Sequence, residues 1–169
     1  MTRTRAAVLA AAVALVATAA VVALLVRAGD DGASAAIVKG PHFIDVDTPG
    51  VLTLENGDCF RDPGRNARFD EHAINAVECV GADNEVYVYV RLRGRTWDEA
   101  ALTRQAIDRC RTPFVDLWGS ERQSGFAFYP VMPTRRSWTQ NHDRSVMCVV
   151  YSPSGPLTVD PITRVRTTH

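Results

Sequence analysis

The sequence predicts an α+β fold: a small antiparallel sheet packed with one main helix, stapled by disulfides and preceded by a single transmembrane helix. Three features carry that expectation. Strand-like runs, one of them alternating Val and Tyr, flank one stretch of helical periodicity, four cysteines are spread from Cys59 to Cys148, and one long apolar run opens the chain.

From Ala6 to Val26 every residue is apolar except Thr18. At about 1.5 Å of rise per residue, that run crosses roughly 30 Å of hydrocarbon. It is apolar all round, whereas a core helix of a small soluble domain carries an apolar stripe. Arg3 and Arg5 precede it and Asp30 and Asp31 follow, with Arg27 as a weak counter-signal, so residues 1–5 form a cytoplasmic tip and the rest lies outside. The membrane is thus the first expected partner, through residues 6–26. A cleaved signal peptide ending at Ala33-Ser34-Ala35 is the competing reading, which would give a secreted soluble protein. The apolar run exceeds the usual length of a signal-peptide core, which favours an uncleaved anchor.

Residues 27–50 mix Gly, Ala, Ser, Asp and Pro without sustained periodicity and read as a linker. Residues 51–152 form the expected outer domain, and 153–169, with three prolines and a Thr/Arg ending, a loose tail. The full chain has 169 residues, which suits one such domain. Its 19 basic and 19 acidic residues balance, so no excess charge is available to neutralise phosphates and a nucleic-acid partner is not expected.

Within the domain, Val77-Glu78-Cys79-Val80 and the run Glu85 to Leu92 read as two strands of a hairpin turning at Gly81-Ala82-Asp83-Asn84. Val86, Val88 and Val90 then share a core face, opposite Tyr87, Tyr89 and Arg91. Thr96, answered by Glu99, is placed to cap a helix starting at Trp97. Ala100, Thr103, Ile107, Cys110, Phe114 and Leu117 form its expected buried face, and Gly119 its stop. Pro113 either kinks this helix or opens a second one capped by Thr112. Gly125 to Pro130 and Ser145 to Tyr151 are two further strands.

All four cysteines, Cys59, Cys79, Cys110 and Cys148, lie in the part predicted to be outside, where disulfides persist. Four cysteines allow three pairings. The sequential one, Cys59 with Cys79 and Cys110 with Cys148, closes loops of modest length and is the expected choice. No Cys-x-x-Cys pair supplies the short spacing of a structural zinc site, so no metal is expected.

Gly57-Asp58-Cys59-Phe60, Val77-Glu78-Cys79, Glu85-Val86-Tyr87, Phe128-Tyr129-Pro130, Ser137-Trp138 and Asp143-Arg144 ahead of Cys148 together resemble the septum-formation-related domain family. That resemblance covers about Leu54 to Tyr151. It implies a membrane-anchored extracytoplasmic domain of a high-GC Gram-positive bacterium, linked to septum formation in cell division, with Gly57, Asp58, Trp138, Asp143 and Arg144 in structural roles. Where the family usually reads Cys-x-x-Pro-His, this chain has Ala82-Asp83, so no role of that histidine transfers.

Catalytic signatures are missing from the sequence. It holds no Gly-x-Ser-x-Gly, no His-Glu-x-x-His and no phosphate loop, and Lys39, its only lysine, has Ala36 three residues before it. His42, His72, His142 and His169 are dispersed. In His142-Asp143-Arg144-Ser145, neighbours along an extended chain point apart, which makes a polar turn rather than a triad. Asp58, beside Asn56-Gly57, reads as a turn residue. Arg91, Arg93 and Arg95 alternate along one strand and would meet an acidic partner or anionic envelope polymer. Trp138, near the bridge expected at Cys148, reads first as a core residue and second as an aromatic anchor, and in that second reading it joins the arginines as a contact candidate. The function read from the sequence is a non-enzymatic binding or scaffold module of the envelope, needing no cofactor and recruiting another division or wall component. The alternative is an envelope hydrolase or transferase using Asp58 or Asp143.

Overall fold

The computed structural model of the chain describes residues 36–63 and 73–166. The expected cytoplasmic tip and transmembrane helix, with His72 and His169, lie outside the described residues, among which no helix is long and apolar enough to cross a membrane.

The described chain is α+β. A short 3-10 helix at Val51–Thr53 is followed by β1 (Cys59–Phe60), β2 (Ala76–Val77), β3 (Asn84–Arg91) and the main helix α1 (Glu99–Trp118). Then come α2 (Glu121–Ser124), β4 (Ala127–Val131), α3 (Arg135–Gln140), β5 (Ser145–Tyr151) and α4 (Pro161–Arg166). The five strands form one antiparallel sheet in the order β2-β1-β3-β5-β4. One edge strand, β2, is two residues long, and the other, β4, contains Pro130.

The expected hairpin of β2 with β3 does not form, because β1 lies between them. Cys59 pairs with Val77 on one side and Glu85 on the other. The backbone of the would-be turn is engaged elsewhere: Gly81 N–H donates to the Leu157 carbonyl, Leu157 N–H to Ala82, and Asp83 N–H to Phe60. Residues 153–163 are therefore held against the sheet rather than forming a loose tail. Leu157 is fully buried, and the Trp118 indole donates to the Pro161 carbonyl at 3.2 Å.

Strand β3 carries an irregularity that the alternating pattern hides. Val86 stands opposite Val149, but Val88 stands opposite Cys148, so β3 spends one extra residue there. The bulge splits the expected valine face. Val86 packs with Tyr129, Met147 and Val149, while Tyr87 and Leu92, with Val88 and Val90, turn to the side covered by α1.

On that side α1 contributes Leu102, Ala106, Cys110 and Phe114, one residue in four. The expected face holds at Cys110 and Phe114, with Leu117 packed beside them, and departs in the first half of the helix, where Ala100 is exposed and Thr103 and Ile107 are half-buried while Leu102 and Ala106 face the core. Asp98, not Thr96, is the cap; its carboxylate accepts from Ala101 N–H at 3.0 Å and the helix begins at Glu99. It runs unbroken through Pro113 and stops at Gly119, whose φ of 73° suits glycine. Two disulfides, Cys59–Cys79 and Cys110–Cys148, staple the unit, the second joining α1 to β5.

The opposite face is covered by residues 37–54, which pack Ile44, Val46, Val51 and Leu54 onto Phe60, Tyr129 and Val149. The described part of the expected linker is thus a strap. Val46 N–H donates to the Met132 carbonyl at 3.2 Å, and Asp45 forms an isolated parallel bridge to Met132. Gly50 lets the strap pass close to Ile74, since a Cβ there would meet the Ile74 carbonyl oxygen at 1.9 Å.

Replacing Cys110 and Cys148 together by Ala is expected to lower the free energy of unfolding by about 2–4 kcal/mol. The denaturant midpoint measures this, and an unchanged midpoint would remove that bridge from the stability of the fold.

Candidate functional site

A cleft of about 460 Å³ opens between the strap and the sheet. Val46, Val51, Leu54, Val131 and Met147 give it an apolar lining, and Asp47, Asn141, Asp143 and Ser145 a polar one. Local bonds hold these walls in place. The Tyr89 hydroxyl donates to the Leu54 carbonyl at 2.6 Å, tying β3 to the end of the strap. Asp143 accepts from Ser145 N–H at 2.9 Å, fixing the entry to β5. Ser137 and Thr134 cap the start of α3 reciprocally. Leu52, 76% exposed, also lines the cleft. Its charged lining residues are Asp47 and Asp143, with no Arg or Lys among them, so the cleft suits an apolar ligand group flanked by a cation or by hydrogen-bond donors.

Burial, and then the carboxylates of Asp58 and Glu55, raise the Tyr89 phenol above its ordinary value of 10.0. Loss of its proton would put a phenolate beside two acids, so it remains a donor.

Asp58 and Asp143 both serve the backbone. Asp58 accepts from Glu55 N–H at 2.7 Å, and Gly57, at φ 93°, donates its N–H to the Val86 carbonyl at 2.7 Å. The Arg144 guanidinium lies 3.6 Å from the centre of the Trp138 ring and donates to the carbonyls of Trp138 and Asp143. His142 is exposed. Trp138 is 1% exposed and packs edge-on to Trp97, so the expectation that it meets a partner is corrected: its indole is core. Arg91, Arg93 and Arg95 are exposed, but β3 ends at Arg91 and the Gln105 side chain clamps the backbone of Arg93. The strand pleat that would align all three on one face stops at Arg91 and does not reach Arg93 or Arg95.

Cys59, Cys79 and Glu85 bring potential metal-ligand atoms within 4.8 Å of one another, yet both sulfurs are bonded in the disulfide and are not thiolates. Glu85 is fully buried and accepts from Ile162 N–H at 3.3 Å.

A second polar constellation escaped sequence reasoning. Lys39, 6% exposed, places its Nζ 2.6 Å from Asp62 Oδ1 and 2.7 Å from Asn84 Oδ1. Asn84 Nδ2 donates to the same Asp62 oxygen at 2.8 Å, and the Tyr129 hydroxyl to Asn84 Oδ1 at 3.1 Å. The rings of Phe43 and Tyr151 each stand 5.1 Å from Nζ. Burial above all, then Asp62 and Tyr151, pushes the Tyr129 phenol well above 10.0, which keeps its proton available for Asn84. The signal available in the sequence was a lone lysine inside Ile37-Val38-Lys39 ahead of alternating Ile44 and Val46.

No family model matches the chain, and neither a curated protein nor a solved structure matches it.

Tyr87, Tyr89 and Tyr129 all have raised phenol pKa values in the folded protein. In the unfolded chain phenols ionise near pH 10, so above that pH the folded state binds more protons than the unfolded state and stability falls as pH rises. Denaturant midpoints are expected to decline with pH beyond about 10, and to decline less steeply in Tyr89→Phe. A profile of equal slope in that variant would contradict the assignment of Tyr89.

Proposed function

We propose that the chain is a membrane-anchored extracytoplasmic binding or scaffold module of the cell envelope, associated with septum formation, whose partner seats in the cleft beside Tyr89. The observation that carries this reading is the cleft itself, an apolar-lined space of about 460 Å³ with Asp47 and Asp143 among its lining residues. Supporting it are the two disulfides, which suit an oxidising compartment, and the apolar run at the amino terminus. The resemblance of the cysteine-flanking residues to septum-formation-related domains supplies the septal association.

The role is recruitment. Asp47, Leu52 and Asp143 become the foremost contact residues, with Arg91, Arg93 and Arg95 as a separate exposed group.

An amino-terminal fluorescent fusion at native expression level is expected to concentrate at division sites. Leu52→Asp removes an exposed side chain from the cleft without touching the core. Losing the burial of one leucine, about 1.5–3 kcal/mol, should weaken partner binding about tenfold or more and disperse the band. Uniform envelope fluorescence of the wild type would sink the septal role. A band unaffected by Leu52→Asp and by Asp47→Arg would sink the cleft as the docking site.

A further inference from the structure

The Lys39 constellation contains the components of a chemical reaction. A primary amine, a carboxamide and a carboxylate are in mutual contact, and one carboxylate oxygen, Asp62 Oδ1, touches both Lys39 Nζ and Asn84 Nδ2. Phe43, Tyr129 and Tyr151 surround them, with Lys39 and Asn84 buried. Lys39 is the only lysine of the chain, and 45 residues separate it from Asn84.

We propose that Lys39 and Asn84 are joined by an intramolecular amide bond, formed by attack of Lys39 Nζ on Asn84 Cγ with release of ammonia, Asp62 carrying the protons. Lys39 Nζ passes one proton to Asp62 Oδ1 along their 2.6 Å contact and becomes a nucleophile. Its lone pair forms the Nζ–Cγ bond while the carbonyl π electrons move to Oδ1, where the Tyr129 hydroxyl donates to the developing oxyanion. Asp62 delivers its proton to Nδ2 and takes one from the now cationic Nζ. The Cγ–Nδ2 bond then breaks, and ammonia leaves as the carbonyl re-forms. The balance is one amine and one carboxamide giving one secondary amide and one ammonia, with no oxidant, cofactor or external base. The folded chain holds the reactants together, replacing a bimolecular encounter by a rotation about side-chain bonds.

The 2.7 Å contact between Nζ and Asn84 Oδ1 is the reactant arrangement. A donor approaches a carbonyl oxygen near the amide plane, so attack requires Nζ to swing over that plane, and the broad χ2 well of Asn permits it.

The test is mass spectrometry of the full chain purified in detergent, with all disulfides reduced. The expected result is a branched peptide joining the Lys39 and Asn84 segments, lighter by one ammonia than the sum of its linear parts, and no tryptic cleavage after Lys39. Lys39→Arg retains the cation but has no nucleophilic amine, and should yield only linear peptides. Asp62→Ala should do the same. Linear wild-type peptides with cleavage after Lys39 would overturn the proposal and leave a buried ion pair bridged by an amide. So would ammonia loss confined to the linear peptide holding Asn56-Gly57, where a succinimide accounts for the same mass.

Discussion

The fold is organised by a sheet whose central strands are apolar on both faces. From Val146 to Tyr151 every residue of β5 is buried, which exceeds what a sheet with one wet face allows. Two covers are therefore needed. The main helix supplies one through Leu102, Ala106, Cys110 and Phe114, and the strap of residues 37–54 supplies the other through Ile44, Val46, Val51 and Leu54. Each large apolar side chain uncovered costs about 1.5–3 kcal/mol, so exposing either face would cost several such terms. The strap is structural for that reason, whatever its composition suggests.

Covering the second face brings a lysine inward. An ammonium ion in such a place is tolerated only with close partners, and Asp62, Asn84 and the two aromatic faces provide them. Those partners also hold Nζ within reach of the Asn84 carboxamide. Burial under the strap thus accounts for the close polar packing at this position.

Much of the architecture was legible because it follows from local pattern. Ser145 to Tyr151 was read with the observed bounds, since apolar β-branched residues between polar flanks leave little choice. Helix α1 was also legible, with Cys110 and Phe114 on its buried face, but its cap fell to Asp98, and packing on the sheet chose Leu102 and Ala106 over Ala100 and Thr103 in its first half. The β2–β3 hairpin was misread because Cys59–Phe60, only two residues long, gives no periodic signal yet takes the central place. The bulge after Val86 likewise leaves no trace in an alternating run. Of the site, Gly57, Asp58, Asp143 and Arg144 were recognisable as turn chemistry. The cleft was not, because Asp47 and Leu52 join Tyr89 and Met147 only through long-range packing. Trp138 carried both a core and a contact reading, and its burial against the stacked Arg144 and the edge of Trp97 leaves the first.

The two rims of the sheet deal differently with a common hazard. An open strand edge is a template on which another chain can add, and proteins that work at high local density must close it off. Here β2 offers two residues and then stops, too short a ladder to hold a foreign strand. Strand β4 is longer, but Pro130 brings no amide hydrogen, and just beyond the strand Met132 is engaged by Val46 of the strap. Among the described residues the sheet therefore offers no continuous edge on which copies brought close together could polymerise, so crowding would favour side-chain recognition over β-sheet growth.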